Sequence, residues 1–190
     1  MLEQKNRLML FMLAGAIALS VVIHGLQRYF HIFAHTMVGT SGHATAGSHT
    51  ASEAVYQSAY ALNALLIVPI ILFALNGYFY RKQKDHPAVP LLNVLGLTFA
   101  SMSMIAGGGG TVEFHFSIFM VIACMAYYES IALIVVSTAL FAAQHIAGWL
   151  FAPQYVFGVN AYPFVMVLSH AVFLLLTAAA TIWQIVHKRK

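Results

Sequence analysis

The chain has 190 residues, of which 61% are hydrophobic and only 7% are charged, and its mean hydropathy is +0.82. Soluble domains carry about a quarter charged residues, so nine basic and five acidic side chains cannot cover a water-facing surface. The composition predicts an integral membrane protein and excludes a self-contained soluble enzyme, a nucleic-acid-binding protein and a disulfide scaffold. The single cysteine, Cys124, cannot form an internal disulfide.

Six apolar runs approach the roughly 20 residues that an α-helix needs to cross a hydrocarbon core. The sequence therefore predicts an all-α, polytopic fold of six transmembrane helices in a single domain, residues 1–190. The first run is not expected to be a cleaved signal peptide, because no small-residue cleavage site follows it. The predicted spans are 8–27, 59–80, 89–106, 111–128, 131–151 and 162–186, with a histidine-rich outer loop at 31–56.

The basic residues predict the orientation of these spans. With six spans both termini lie on one side, and eight of the nine Lys and Arg residues, all except Arg28, fall on that side. Positive charge is enriched in cytoplasmic loops, so both termini are expected in the cytoplasm. The glycine run at 107–110 is expected to break the third and fourth helices at the outer face, because each glycine costs a helix about 1 kcal/mol.

Four histidines lie inside the predicted spans, where ionisable groups are costly and usually functional. Counting 1.5 Å per residue places all four in one layer, roughly 5–12 Å below the outer membrane boundary. Neutral imidazole is the commonest metal ligand, so the set predicts a site for a transition metal ion, namely copper, zinc or iron. The candidate ligands are His24, His115, His145 and His170.

Further polar residues are candidates for supporting this site. Glu113 lies two residues from His115 and therefore on another helix face, from which it is expected to orient a neighbouring imidazole or to cap its helix. Gln144 and Gln27 are the other candidates for such support. His31 and His35 are four residues apart and could line an entry path for the metal, or belong to a weakly metal-binding loop.

Several alternatives stay open at this level. Two of the histidines could be the axial ligands of haem b, in a membrane cytochrome that senses gas or redox state or transfers electrons. A metal transporter would need polar residues in the inner halves of the helices, where only Asn63, Asn76 and Asn93 are expected. The histidines could also be hydrogen-bond partners between helices. Common catalytic motifs are missing, so an enzyme is less favoured.

Three segments resemble a known family. The first is GGGGTVEFHFSIFMVIACMAYY at 107–128, with glycines, an aliphatic-Glu-x-His-Phe stretch and an apolar run ending in tyrosine. It resembles the six-helix transmembrane sensory input region of bacterial methyl-accepting chemotaxis proteins and of some sensor histidine kinases and diguanylate cyclases. FAAQHIAGWLF matches that region at His145, SHAVFLLLTAAATIW matches it at His170, and His24 corresponds to a histidine of its first helix. Ser117 is a departure, since relatives often have histidine there.

The resemblance implies a signal-transduction function of the chemotaxis type and a multi-pass location in the inner membrane of a bacterium. A ligand or metal held by the four histidines would change helix packing, and the last helix would carry that change to a cytoplasmic signalling domain or partner. Relatives continue into signalling domains, whereas this sequence stops at Lys190. Membrane lipid and a second copy of the chain are further candidate partners, and no nucleic acid is expected.

Overall fold

A computed structural model describes residues 2–30, 32–33, 50–159 and 161–188, with the side chains of the second helix described from Leu62 onward. Every regular element in these ranges is helical, which confirms the predicted all-α class. A 3₁₀ turn, Ala126–Tyr128, extends the fourth helix. The helices are α1 (Leu2–Phe30), α2 (Thr50–Lys82), α3 (Ala88–Gly107), α4 (Val112–Met125), α5 (Ile131–Phe151), α6 (Pro153–Val156) and α7 (Phe164–Lys188).

Five of the described helices are long and apolar enough to cross a membrane, namely α1, α2, α3, α5 and α7. The helix α4 with its 3₁₀ turn is apolar but shorter. The predicted run 131–151 coincides with α5, whereas α2 begins at Thr50 rather than at 59 and so overlaps the predicted outer loop. The part of that loop at 34–49 lies outside the described residues.

The helix α3 connects two groups of helices. The pair α1 and α2 contact each other and α3, while α4, α5 and α7 contact one another, and α4 and α5 also contact α3. In the most apolar 18-residue stretch of α3, 67% of the residues are buried. The corresponding share in the other four long helices is 11–33%. Small residues allow this close packing. A Cβ on Gly96, for example, would lie 2.7 Å from a methyl carbon of Leu13 in α1.

One end of the bundle, which we call the polar end, is held by polar contacts between distant parts of the chain. The Asn6 amide in α1 donates to the carbonyl of Lys84 in the α2–α3 loop at 2.9 Å, and Tyr128 donates to Asn6 at 3.1 Å. Lys188 at the end of α7 pairs with Glu129 in the α4–α5 turn. The start of α1, both of these connections and the end of α7 therefore lie together.

The opposite end, which we call the glycine end, contains the predicted helix break. The helix α3 ends at Gly107, and Gly109 and Gly110 have positive φ angles of 69° and 70°. Arg28, near the end of α1, hydrogen-bonds to Asn63. The expectation that Asn63 lies toward the basic end of its helix is wrong, because α2 continues 19 residues further to Lys82, roughly 28 Å along its axis.

Buried amides form a network near the polar end. The Asn76 amide donates to the side-chain oxygen of Asn93 at 2.7 Å, and the Asn93 amide donates to the Tyr128 hydroxyl at 2.8 Å. Tyr128 then donates to Asn6, and all three asparagines are fully buried. The amide network thus ties α1, α2, α3 and the 3₁₀ turn together by hydrogen bonds that water cannot replace.

Removing the hydroxyl group at the centre of the amide network should lower stability. We expect Tyr128→Phe to reduce the free energy of unfolding by about 1–3 kcal/mol, because the Asn93 amide and the Asn6 oxygen lose a partner while buried. Thermal unfolding of the purified protein in detergent measures the effect. Tyr127→Phe, at the more exposed neighbouring position, is the matched control and should leave Tm unchanged. Equal Tm values for the two variants would exclude a stabilising role for the network.

Candidate metal centre

Two loops at the glycine end pack backbone against backbone. Gly110 in the α3–α4 loop and Gly158 in the α6–α7 loop both have φ near +70°, a conformation that glycine adopts readily. A Cβ on Gly158 would lie 2.6 Å from the carbonyl oxygen of Gly109, and a Cβ on Gly110 would clash with the backbone nitrogen of Gly158. The glycine run therefore does more than end a helix, because it holds the α6–α7 loop in place.

Three of the four predicted ligands lie together beneath these loops. His115 of α4, His145 of α5 and His170 of α7 form a cluster, which we call the histidine cluster. Their ring centroids are 5.5 Å apart for 115 and 145, 5.3 Å for 115 and 170, and 5.8 Å for 145 and 170. The first two histidines are buried and His170 is partly exposed. Packing of α4, α5 and α7 against one another produces this convergence.

All three imidazoles make the same local hydrogen bond. In each, Nδ1 contacts the backbone carbonyl four residues earlier, at 2.8–3.0 Å. A carbonyl only accepts, so Nδ1 carries the proton and Nε2 keeps its lone pair. Metal-binding histidines are commonly oriented by such a bond from the other ring nitrogen. The three acceptors are the carbonyls of Thr111, Phe141 and Met166.

The spacing of the rings can be compared with that of imidazoles around one ion. With a metal–nitrogen distance of about 2.05 Å, tetrahedral to trigonal geometry places ring centres about 5.2–5.5 Å apart. The observed distances of 5.3–5.8 Å are close to that range. The ring planes cross at 39–71°, however, and no three His, Cys, Asp or Glu side chains among the described residues are already placed to hold one ion. The number and spacing of the rings therefore match three imidazoles around one ion. To bind that ion together, their Nε2 atoms would have to turn toward a common point.

His115 has an unused acceptor atom. Its side chain is only 5% exposed, and its Nε2 is buried without a hydrogen-bond partner. The backbone of Val156 approaches the ring, but outside the geometry of a hydrogen bond. The lone pair of this Nε2 is therefore free to accept a hydrogen bond or to bind a metal ion.

Phe157 covers the histidine cluster at the glycine end. Its ring centroid lies 5.8 Å from that of His145, 6.0 Å from His170 and 6.3 Å from His115. Tyr162 stacks on Phe157 with a centroid distance of 4.1 Å, and its ring centroid lies 6.1 Å from that of His170. Neither aromatic residue was predicted as part of the site, because a phenylalanine between two helices has no chemical signature of its own in the sequence.

His24 lies in a different contact. Its Nε2 is 3.0 Å from the carbonyl oxygen of Ser103 in α3 and 3.1 Å from the Ser103 hydroxyl. The ring packs so closely on Gly107 that a Cβ there would lie 2.5 Å from Cδ2. Within the described residues no ring contact joins His24 to the other three histidines. The structure therefore brings together three of the four predicted ligands and leaves His24 in the α1–α3 contact.

The predicted supporting residues are dispersed. Glu113 is exposed and lines a pocket of about 280 Å³ at the glycine end, together with His115 and His170. The Gln144 side-chain oxygen is buried without a hydrogen-bond partner. Gln27 accepts a hydrogen bond from the backbone nitrogen of Phe33 at 3.0 Å, so it binds the chain after α1 rather than an imidazole. The two residues predicted to line a metal entry path lie outside the described residues, namely His31 and His35.

The histidine cluster can act chemically as a group of Lewis bases. Three neutral imidazoles with unprotonated Nε2 atoms can bind a metal ion or accept hydrogen bonds from a ligand. Comparisons with known proteins give no precedent, since no protein family, curated protein or solved structure matches the chain.

Proposed function

We propose that the chain is a six-span sensory input module of an inner membrane, and that its histidine cluster binds one transition metal ion. His115, His145 and His170 supply the ligands from α4, α5 and α7. The observation that carries the proposal is that the three rings have the same hydrogen bonding and lie close together. Each has its Nδ1 bonded to its own helix and its Nε2 available, and the ring centroids are 5.3–5.8 Å apart.

The ring spacing favours a metal ion over haem. Two axial imidazoles lie on opposite sides of the iron, which puts their ring centres about 6.4 Å apart with the porphyrin between them. The pairs in the histidine cluster are closer and in direct contact. Three imidazoles suit copper, zinc or iron, and a site with three protein ligands keeps one coordination position open.

The path from the cluster to the polar end supports a sensory role. The helix α7 contributes His170 near one end and Lys188 at the other, where Lys188 pairs with Glu129. The hydrogen bond and charge of Lys188, followed by the charge of Lys5, hold the pKa of the Glu129 carboxyl below its usual range. The carboxylate therefore stays ionised and paired until the pH falls below the ordinary glutamate range. A ligand that draws α4, α5 and α7 together changes the position of this paired helix end.

The polar end is the cytoplasmic side in this proposal, because it contains most of the basic residues. Green fluorescent protein fused after Lys190 should therefore fluoresce, and alkaline phosphatase fused there should be inactive in the bacterial host. A fusion inserted between residues 34 and 49, after the first predicted span and before the second, should give the reverse pattern. An active phosphatase at the C-terminus would contradict the six-span arrangement.

Elemental analysis of the purified protein, combined with its absorption spectrum, tests the metal site. We expect about one transition metal ion per chain, bound after exposure to copper, zinc or iron salts and dialysis. A Soret band with reducible split bands would instead identify haem b. Absence of bound metal with all three salts would contradict the proposal.

A further inference from the structure

A second pocket reaches the histidine cluster from the side of the bundle. This pocket, which we call the lateral pocket, has a volume of about 330 Å³ and lies between α4, α5 and α7. All three clustered histidines line it, and the rest of its wall is almost entirely apolar. Phe116, Phe173 and Ile146 stand at its rim with 55–61% of their surface exposed. In the membrane arrangement proposed above, these exposed apolar side chains face lipid, so the pocket opens to the bilayer.

The wall of this pocket combines apolar surface with hydrogen-bond acceptors. The imidazoles hold their Nδ1 protons on their own backbone, so their Nε2 atoms can accept but not donate. The Nε2 atom of His115 is closed off from solvent, but those of His145 and His170 make no hydrogen bond in the described part of the chain. A lipid acyl chain in the pocket would leave these two acceptors unpaired, whereas a ligand with a hydroxyl group can donate to one of them.

The size of the pocket limits the ligand further. An apolar cavity of about 150 Å³ holds one benzene molecule, and pockets for drug-sized ligands begin at about 300 Å³. The lateral pocket therefore has room for one substituted ring and is far larger than a diatomic gas requires. Phe116, Phe119 and Phe173 in its wall offer aromatic faces and edges against which such a ring can pack.

We infer that the lateral pocket binds a lipid-soluble hydroxyaromatic molecule of the quinol type, which enters from the bilayer with its hydroxyl group directed at the histidine cluster. The inference rests on the proposed function for the membrane around the pocket but not for the metal. In a metal-free cluster the hydroxyl donates to an Nε2 atom, and with metal bound its oxygen can take the open coordination position.

A single-ring phenol provides the probe. We expect 4-fluoro-2,6-dimethylphenol to bind saturably to the metal-free protein in lipid nanodiscs, as followed by ¹⁹F NMR. The hydrocarbon 5-fluoro-1,2,3-trimethylbenzene, in which a methyl group replaces the hydroxyl group, has nearly the same shape but no O–H donor. It should bind about tenfold more weakly, the ratio expected for one lost hydrogen bond. Saturable binding of the phenol with weaker binding of the hydrocarbon supports the inference. Equal binding of phenol and hydrocarbon, or no saturable binding of the phenol, would overturn it.

Two neighbouring alanines on α5 provide matched variants. Ala142 lines the lateral pocket, whereas Ala143 is exposed and does not line it. Ala142→Phe should reduce phenol binding at least about tenfold by filling the pocket, and Ala143→Phe should leave it unchanged. Ala171→Leu fills the pocket from α7 and replaces Ala142→Phe if that variant does not fold. Unchanged phenol binding in a folded filled variant would overturn the inference.

Metal content is measured on the same nanodisc samples after loading. A protein that binds phenol but no metal would refute the proposed metal site and leave the lateral pocket supported. A protein that binds metal but binds phenol and hydrocarbon equally would support the metal site and refute the inference about the lateral pocket. The two results therefore separate the inference from the function proposed above.

Discussion

His115→Ala and His145→Ala are each expected to abolish stoichiometric metal binding, whereas His24→Ala should retain it. The first two substitutions remove one of three imidazoles that lie within 5.8 Å of one another. Loss of a direct ligand should cost more than the about 10- to 100-fold in affinity that loss of an outer hydrogen-bond partner typically costs. His24 is equally buried, but it bonds to Ser103 and lies outside the cluster.

Competition with a chromophoric chelator measures the metal affinity of each variant, and unfolding midpoints show that each is folded. Loss of metal in His24→Ala alone would show that the metal site is at the α1–α3 contact and not at the histidine cluster. Full metal occupancy in both His115→Ala and His145→Ala would show that the histidine cluster is a structural element. Retention in one of these two variants would mean that the remaining imidazoles suffice, and the three-ligand site would then be wrong.

Gly110→Ala should both destabilise the protein and weaken the site. Residue 110 has a φ of +70°, and its Cβ would clash with the backbone nitrogen of Gly158. The left-handed conformation alone costs a non-glycine residue about 1–2 kcal/mol. The clash must also displace the α6–α7 loop, so that Phe157 no longer covers the cluster. We expect a loss of unfolding free energy of about 2 kcal/mol or more, together with a lower metal affinity.

Gly25→Ala is the matched control for this substitution. Among the described residues, a Cβ on Gly25 meets no atom within 4 Å outside its own stretch of helix, and alanine is the better helix former at this position inside α1. Its unfolding midpoint should be unchanged or slightly raised. Thermal unfolding and the chelator competition are measured on both variants. If Gly110→Ala behaved like Gly25→Ala in both measurements, the loop contact would not position Phe157.

The apolar helices and the helix break at 107–110 could be predicted from the sequence, because the hydropathy of a segment and its glycine content affect helix formation within that segment. The depth of each histidine could also be estimated, since depth depends only on residue count along a helix axis. The direction in which each histidine points around that axis could not be predicted, because it depends on which helices become neighbours. His24 matches the others in estimated depth but faces α3, where it bonds to Ser103. Phe157 and Tyr162 were missed for a related reason, because a loop-to-loop contact brings them to the cluster.

The helix α7 is held in the bundle by other kinds of contact than α1, α2 and α3. The amide network joins α1, α2, α3 and the 3₁₀ turn, and α7 contributes no residue to it in the described part of the chain. Displacing α3 would therefore unpair buried amides. Displacing α7 would disturb its packing on α4, α5, the 3₁₀ turn and the α6 segment, the ring contacts of His170 and the exposed pair of Lys188 with Glu129, but no described hydrogen bond of the amide network. If the chain has the sensory role proposed above, a shift of α7 along its axis could carry a change at His170 to Lys188 without unpairing the buried amides.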